Sequence, residues 1–256
     1  MKPLISCIIT THNREQLLHR AIDSILKQTY NNFELIIVND GSKDNTADIL
    51  NDYIKKENRI QIINRKQSFG GNYSRNEGIR ISSGEFISLL DDDDEFMPEK
   101  LDLLYNRIVK NKKIGLVYGG SKLIRRDMTD FNKLPKYGSL GYNNLLQIYC
   151  QFSPPACLIR RECFEIAGFF DESLPAYQDW DMWLRISRHY KIDAIKDIVC
   201  IVHQEHELPR IGLNDKAILG FKRFREKHIK SIPFLLRIIH NIKNRQIIRQ
   251  LKLHTL

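Results

Sequence analysis

The chain has 256 residues, 42% hydrophobic and 28% charged, the proportions of an ordinary globular protein that buries a full core in one large domain or two small ones. No run approaches the roughly 18 consecutive apolar residues of a membrane-spanning helix, and Met1, Lys2 and Pro3 lead into a strand-like run rather than a signal peptide. The five cysteines are odd in number and never spaced CxxC, so neither a disulfide framework nor a tetrahedral zinc site is expected, and a reducing cytosol fits best.

Leu4 to Thr10 is a short apolar run rich in β-branched residues, the pattern of a strand buried on both faces. Asn13 reads as an N-cap with Gln16 at the capping-box position, followed by the helical stripe Leu17, Leu18, Ala21, Ile22, Ile25 and Leu26. The pattern repeats: strand Phe33 to Val38, a turn at Asp40, Gly41 and Ser42, and a weaker helix through Ala47, Leu50, Tyr53 and Ile54. A third strand, Ile60 to Ile63, leads through Gly70 and Gly71 into a helix over Arg75 to Ile81.

A fourth strand, Glu85 to Leu90, stops at Asp91, Asp92, Asp93 and Asp94, and Pro98 suits the first turn of a helix ending near Lys110. Beyond it the pattern loosens: Leu116 to Tyr118, a loop to about Tyr142, an apolar segment Ala156 to Ile159 and a turn at Gly168. A helix is expected over Asp179 to Tyr190 and a strand over Ile198 to Val202. Strands alternating with helices predict an α/β fold with right-handed crossovers and a mostly parallel sheet.

The net charge of +9 is unevenly placed: residues 216–256 carry eleven Lys and Arg against one acid, Glu226, while residues 1–215 come to −1. This basic segment has apolar residues such as Ile232, Leu235, Ile239 and Ile242 between its bases. It reads either as an amphipathic helix on an anionic membrane surface or as a helix packed on the body with a solvated basic face.

Ligands of open parallel sheets bind beyond the carboxyl ends of the strands, where Thr11, Asp40 and the aspartate run all fall. Four adjacent carboxylates repel one another and raise each other's pKa unless a cation neutralises them, which a hard divalent ion shared with substrate phosphates would do. A solvated acidic turn or anions at a helix N-terminus is the plainer reading. Asp40 is likewise a turn residue or an acceptor for a nucleobase imide or ribose hydroxyl, and Asp179 a helix N-cap or a catalytic carboxylate.

The segments LISCIITTHNREQLLHRAIDSIL through LIIVNDGSKDNT, then SRNEGI, LLDDDDEFMPEKL and YQDWDMWLRI resemble, in order and spacing, the family 2 glycosyltransferases with the GT-A fold. The resemblance covers about residues 3–210. It implies a GT-A domain over residues 1–215, with a nucleotide-binding half to about 110 and an acceptor half after it, and a basic helical appendage over 216–256. By resemblance Asp91, Asp92 and Asp93 are the DXD motif, with Asp93 closest to a Mn²⁺ or Mg²⁺ ion on the diphosphate and Asp91 or Asp92 facing the ribose. Asp40 is similar to the base-recognising aspartate, Thr11 to a residue lining the nucleotide pocket, and Arg75 and Asn76 to an ARN sequence near the nucleotide, with Ser74 for the usual alanine. Uracil is the favoured base. Asp179 is similar to the catalytic aspartate of an inverting displacement, with Gln178 where a Glu is common, and His12 stands where an aromatic residue is common. His203 falls where the family often places a histidine near metal or diphosphate, Arg210 could meet a phosphate, and Glu205 with His206 could form a second metal site.

The resemblance therefore implies a metal-dependent hexosyl transfer from a UDP-sugar to a carbohydrate or lipid-linked glycan in surface-polysaccharide synthesis. The enzyme would be cytoplasmic, peripheral on the inner face of the membrane, and a homo-oligomer is left open. Nucleic acid is not an expected partner of such an enzyme. The competing readings are a nucleotidyltransferase, which this chain would be without a GxxxxGK loop, and a non-enzymatic module binding RNA or anionic lipid through the basic segment.

Overall fold

The structure, a computed structural model, describes residues 2–126, 129–135, 139–140, 152–205 and 215–229. The first half is a regular strand–helix alternation: β1 (Ile5–Thr11), α1 (Leu18–Leu26), β2 (Phe33–Asn39), α2 (Thr46–Lys56), β3 (Ile60–Asn64), α3 (Gly71–Ile81) and β4 (Phe86–Asp91). These strands lie in the order β3-β2-β1-β4, all parallel. The register sets Thr11 opposite Asn39, Asn39 opposite Asn64, and Thr10 opposite Asp91, so all four strands end along one edge.

The second half adds β5 (Glu95–Phe96), α4 (Lys100–Ile108), β6 (Ile114–Arg125), β7 (Phe131–Lys133), β8 (Ser139–Leu140), β9 (Cys157–Arg160), α5 (Glu162–Ala167), α6 (Gln178–Ile186), β10 (Lys191–Gln204) and α7 (Asp215–His228). The sheet continues β4-β9-β6-β10-β5, with β9 antiparallel to both neighbours and β6 parallel to β10. Parallel pairing thus holds through the first four strands and gives way to a mixed sheet beyond β4.

Alternation along each buried strand sends side chains to two cores. Ile5, Cys7 and Ile9 face Leu18, Ile22 and Ile25 of α1 with Leu101 and Leu104 of α4, whereas Ile8, Ile36 and Leu89 face Ile79 of α3 and the aromatic layer of α5, α6 and α7. Within the first core Lys100 is fully buried. Its ammonium donates to Ser88 Oγ and to the Cys157 carbonyl (3.2 Å) and lies 3.4 Å from the centre of the Phe96 ring.

Several sequence expectations change. Asn13 does not cap α1, which starts five residues later without a side-chain cap. Its backbone is left-handed (φ 53°), its N–H donates to Ser42 Oγ, and its side-chain oxygen accepts the Lys43 N–H, because the loops after β1 and β2 are stitched together. β6 and β10 run for 12 and 14 residues where only short strands were legible, and β10 carries register shifts that blur its alternation. α6 ends at Ile186, and β5 and α5 were too short to announce themselves. The first helix of the basic segment, α7, packs on the body; residues 230–256, Arg210 and His206 lie outside the described residues.

Candidate active site

The edge formed by the ends of β1 to β4 collects the polar residues. Thr11 and Asp40 are buried there. Every acceptor position of the Asp40 carboxylate is used: Oδ1 by Arg65 (2.8 Å) and the Phe69 N–H (2.9 Å), Oδ2 by Ser68 Oγ (2.6 Å) and the Gly70 N–H (2.8 Å). Burial alone would raise its pKa, but these four donors outweigh it and hold the carboxylate below its usual range. Asp40 therefore clamps the segment after β3. That segment lies so close to Gly41 (φ 73°) that a Cβ there would come within 2.5 Å of the Gln67 backbone. Ser74 accepts from Arg65 at 3.0 Å, which gives its hydroxyl a use that alanine would lack. The Arg65 guanidinium also lies 4.5 Å from the Tyr73 ring, and exposed Phe69 stacks on that ring at 5.0 Å.

The aspartate run is compensated by arginines. Arg75 donates to Asp91 Oδ1 at 2.6 Å, Arg14 stands 3.9 Å from Asp92, and Arg20 donates to the Asp93 carbonyl at 2.6 Å. Asp92 is nonetheless pushed up to about 7, by burial first and by the neighbouring Asp93 charge second, with the Thr11 hydroxyl opposing. Asp94 is buried and accepts the His203 N–H at 3.0 Å, which ties the run to β10. Asn76 does not face this edge. Its amide spans to the Phe170 backbone in both directions (2.9 Å each) and so fixes α3 to the turn after α5.

His203 sits between two carboxylates, Nε2 2.6 Å from Glu95 and Nδ1 2.6 Å from Glu205, and Arg20 lies 3.8 and 3.6 Å from the same two acids. Both ring nitrogens are engaged, so ligation of a metal by His203 would require Glu95 or Glu205 to let go. Among the described residues no three of His, Cys, Asp and Glu enclose a metal position by themselves. Asp91 and Asp93 place hard carboxylate oxygens at this strand edge, the kind of donor that a divalent ion sharing its remaining ligands with phosphates takes.

Asp179 comes from the other half of the molecule, in the first turn of α6. The residue before the helix, Tyr177, is left-handed (φ 62°), an uncommon conformation outside glycine that turns the chain so that α6 starts at this edge. Asp179 feels the charges of Arg75 and Asp91 directly. Its pKa is raised, by burial chiefly and by Asp91, against the lowering effects of the Trp180 N–H and Arg75. The structure thus brings Asp179, Arg75 and Asp91 into one electrostatic cluster, with Asp92 and Asp93 adjoining, and leaves Asp40 enclosed by the segment after β3. Arg14, Arg20, Arg65 and Glu95 were not read from the sequence. Arg65 alone carried a signal, its place just past the end of β3.

Residues 6–166 match the model described as glycosyl transferase family 2. The chain belongs to that family. An uncharacterized glycosyltransferase of Rickettsia felis is 34% identical over 192 residues, which is 73% of this chain; the chain spans about a third (32%) of that relative's length. The Escherichia coli UDP-Glc:alpha-D-GlcNAc-diphosphoundecaprenol beta-1,3-glucosyltransferase WfgD is 27% identical over 244 residues, 92% of each chain. A mannosyltransferase of Pyrobaculum calidifontis, solved with GDP-Man and Mn²⁺, superposes with a TM-score of 0.70 at 18% identity over 99% of this chain and 74% of its own, a likeness of fold. The family match ends before α6, so Asp179 and everything after it rest on the structure and the longer pairwise similarities.

Proposed function

We propose that the chain transfers a hexosyl group, with inversion, from a UDP-sugar to a hydroxyl of a carbohydrate or lipid-linked glycan in cell-surface polysaccharide assembly. The observation that carries this reading is the position of Asp179, a carboxylate with raised pKa set against Arg75 and Asp91 at the carboxyl edge of the parallel strands. A carboxylate whose pKa is raised above the ordinary range is a stronger proton acceptor than a solvated one. The acceptor oxygen attacks the anomeric carbon from the face opposite the leaving group and gives its proton to Asp179. The bond from the anomeric carbon to the diphosphate oxygen breaks as the new one forms, and a single displacement inverts the centre.

The remaining residues bind and orient. Asp93, with Asp91, would hold a Mn²⁺ or Mg²⁺ ion, which when bound neutralises charge on the diphosphate. Arg75 fixes Asp91 and tempers Asp179. Thr11 and the segment clamped by Asp40 line the nucleoside pocket, and direct contact between Asp40 and uracil needs one of its four present donors to withdraw. The UDP preference is supported by the donor in the name of the E. coli relative, and the lipid-linked acceptor by the diphosphoundecaprenol in the same name. No helix among the described residues is long and apolar enough to cross a membrane, so contact with such an acceptor would be peripheral, through the basic residues of 216–256.

The test is calorimetric titration of UDP, with GDP and CDP as controls, into wild-type protein and Asp93→Asn, with Mn²⁺ and with EDTA. Metal-dependent UDP binding lost in the variant is the expected result. A folded protein that binds no nucleotide under any condition would sink the proposal. Binding to phosphatidylserine vesicles that weakens with salt, and is lost on truncation after residue 229, is expected of a peripheral attachment.

A further inference from the structure

Read as sequence, α7 is only the start of a basic segment; in the structure its apolar face is buried against the turn that delivers Asp179. Phe224 stacks on Trp180 with ring centres 4.4 Å apart, and Phe221 meets Tyr177 edge-on at 5.3 Å. A Cβ on Gly220 would come within 2.8 Å of the N, O and Cβ atoms of Ala176, so the helix backbone rests directly on the residue preceding Tyr177. At its end, His228 Nε2 and Lys227 Nζ lie 2.8 and 2.9 Å from Asp181 Oδ1, while Arg185 donates to Asp181 Oδ2 at 2.9 Å. Asp181 has no exposure and is held down to about 2; burial opposes this, but His228, Arg185 and Lys227 prevail. Lys227 also reaches Asp171 at 2.7 Å, and Arg223 donates to the Ser173 carbonyl.

These contacts flank residue 179 on both sides, at 171–177 before it and 180–181 after it. Between them stands the left-handed Tyr177, a conformation that a non-glycine residue keeps only when its surroundings over-determine it. α6 itself contributes no side-chain cap at its N-terminus. A catalytic carboxylate, however, has to be held to a fraction of an ångström.

We propose that α7 is a positioning element for the base: through Gly220, Phe221, Phe224 and the buried Asp181–His228 contact it holds the turn at Tyr177 from which Asp179 projects. This rests on the reading of Asp179 as the base. It adds that the catalytic geometry depends on a helix that lies beyond the family match and touches no reacting atom.

Gly220→Ala separates this from a merely structural helix, because alanine favours an isolated helix yet here forces α7 off Ala176, the residue before Tyr177. His228→Leu removes the contact to Asp181, and His228→Gln restores an N–H donor. The readouts are amide hydrogen exchange at residues 177–181 and steady-state hydrolysis of UDP-glucose and UDP-N-acetylglucosamine. Gly220→Ala and His228→Leu are expected to speed exchange at 177–181 while β1 and β4 stay protected. The same two variants should lower kcat about tenfold or more with donor KM within about twofold, and His228→Gln should recover most of the loss. Unchanged exchange at 177–181, or faster exchange with kcat intact, overturns the proposal, and the exchange readout needs no substrate. If either variant loses protection in β1 and β4, Phe224→Leu, a smaller change, takes its place under the same criteria. Asp179→Asn is the separate control: turnover surviving in that variant refutes the base assignment, whereas its loss together with wild-type behaviour of the α7 variants refutes only the positioning role.

Discussion

The two halves of the molecule deliver their site residues by different physical routes. In the first half a single rule suffices: parallel strands β1 to β4 end in register, so whatever follows them in sequence lands on one edge. In the second half β9 runs antiparallel, β6 and β10 are long, and Asp179 reaches the same edge from a helix whose start is fixed by α7, roughly forty residues downstream. The proposed binding residues are thus a local consequence of topology, and the placement of the proposed base is a consequence of long-range packing. Substitutions should respect that division.

The largest effect tests it first. Asp179→Asn is expected to lower kcat by about 10² to 10⁴, the range of a lost general base, with UDP affinity unchanged by calorimetry. A comparable loss of UDP affinity would mean that the two halves share the donor site and would erase the distinction. Asp93→Asn should do the reverse, abolishing the metal-dependent part of UDP binding while the protein melts as wild type does.

Arg75 stands at the junction and sharpens the comparison. It lowers the pKa of Asp179, whose other charged neighbour Asp91 raises it. Arg75→Met should therefore move the acid limb of the kcat profile to higher pH, since Asp179 as the proposed base would have to lose its proton to act. A limb that stays in place would show that another group sets it.

The same division explains what was legible in the sequence. Ile5 to Ile9, Leu35 to Val38 and Phe86 to Leu90 are apolar runs broken only by Ser6 and Ser88, and runs of that kind announce strands buried on both faces. Thr11, Asp40 and Asp91 to Asp94 could be placed because they follow such runs. What Asp40 does could not be read, because its four donors come from Arg65, Ser68, Phe69 and Gly70, on a segment about 25 to 30 residues away that has no periodic pattern. Asn13 has the composition of a cap, but a cross-loop hydrogen bond to Lys43 claims its side chain. Asp179 and Asp181 look alike in YQDWDMW, and only the partners of Asp181 on α7 separate an anchor from the proposed base.

The smallest effect expected concerns neither nucleotide nor acceptor but Lys100 of α4, which is buried against β4, β5 and β9 and has no part in the proposed chemistry. Burial lowers its pKa to about 8, against an ordinary value of 10.5. Between those values the unfolded chain binds a proton that the folded protein has released, so this residue's contribution to stability rises with pH across that window and is least favourable below it. The cost below pH 8 is on the order of 3 kcal/mol from the size of the shift, reduced by the contacts to Ser88, Cys157 and Phe96. Lys100→Met should consequently be neutral to stabilising at pH 7, with an advantage over wild type that shrinks toward pH 10.5. The comparison has to be made as a difference between the two proteins, because Cys7, Cys163 and Cys200, pushed up to about 12 by burial, act in the opposite sense above pH 9 in both. Denaturant titrations of the pair at pH 7, 8.5 and 10 would measure it, and UDP binding should be the same in both at every pH. A nucleotide affinity that moved with Lys100 would mean that the core beneath β4 bears on the aspartate run, and that the binding half is less local than its strand ends suggest.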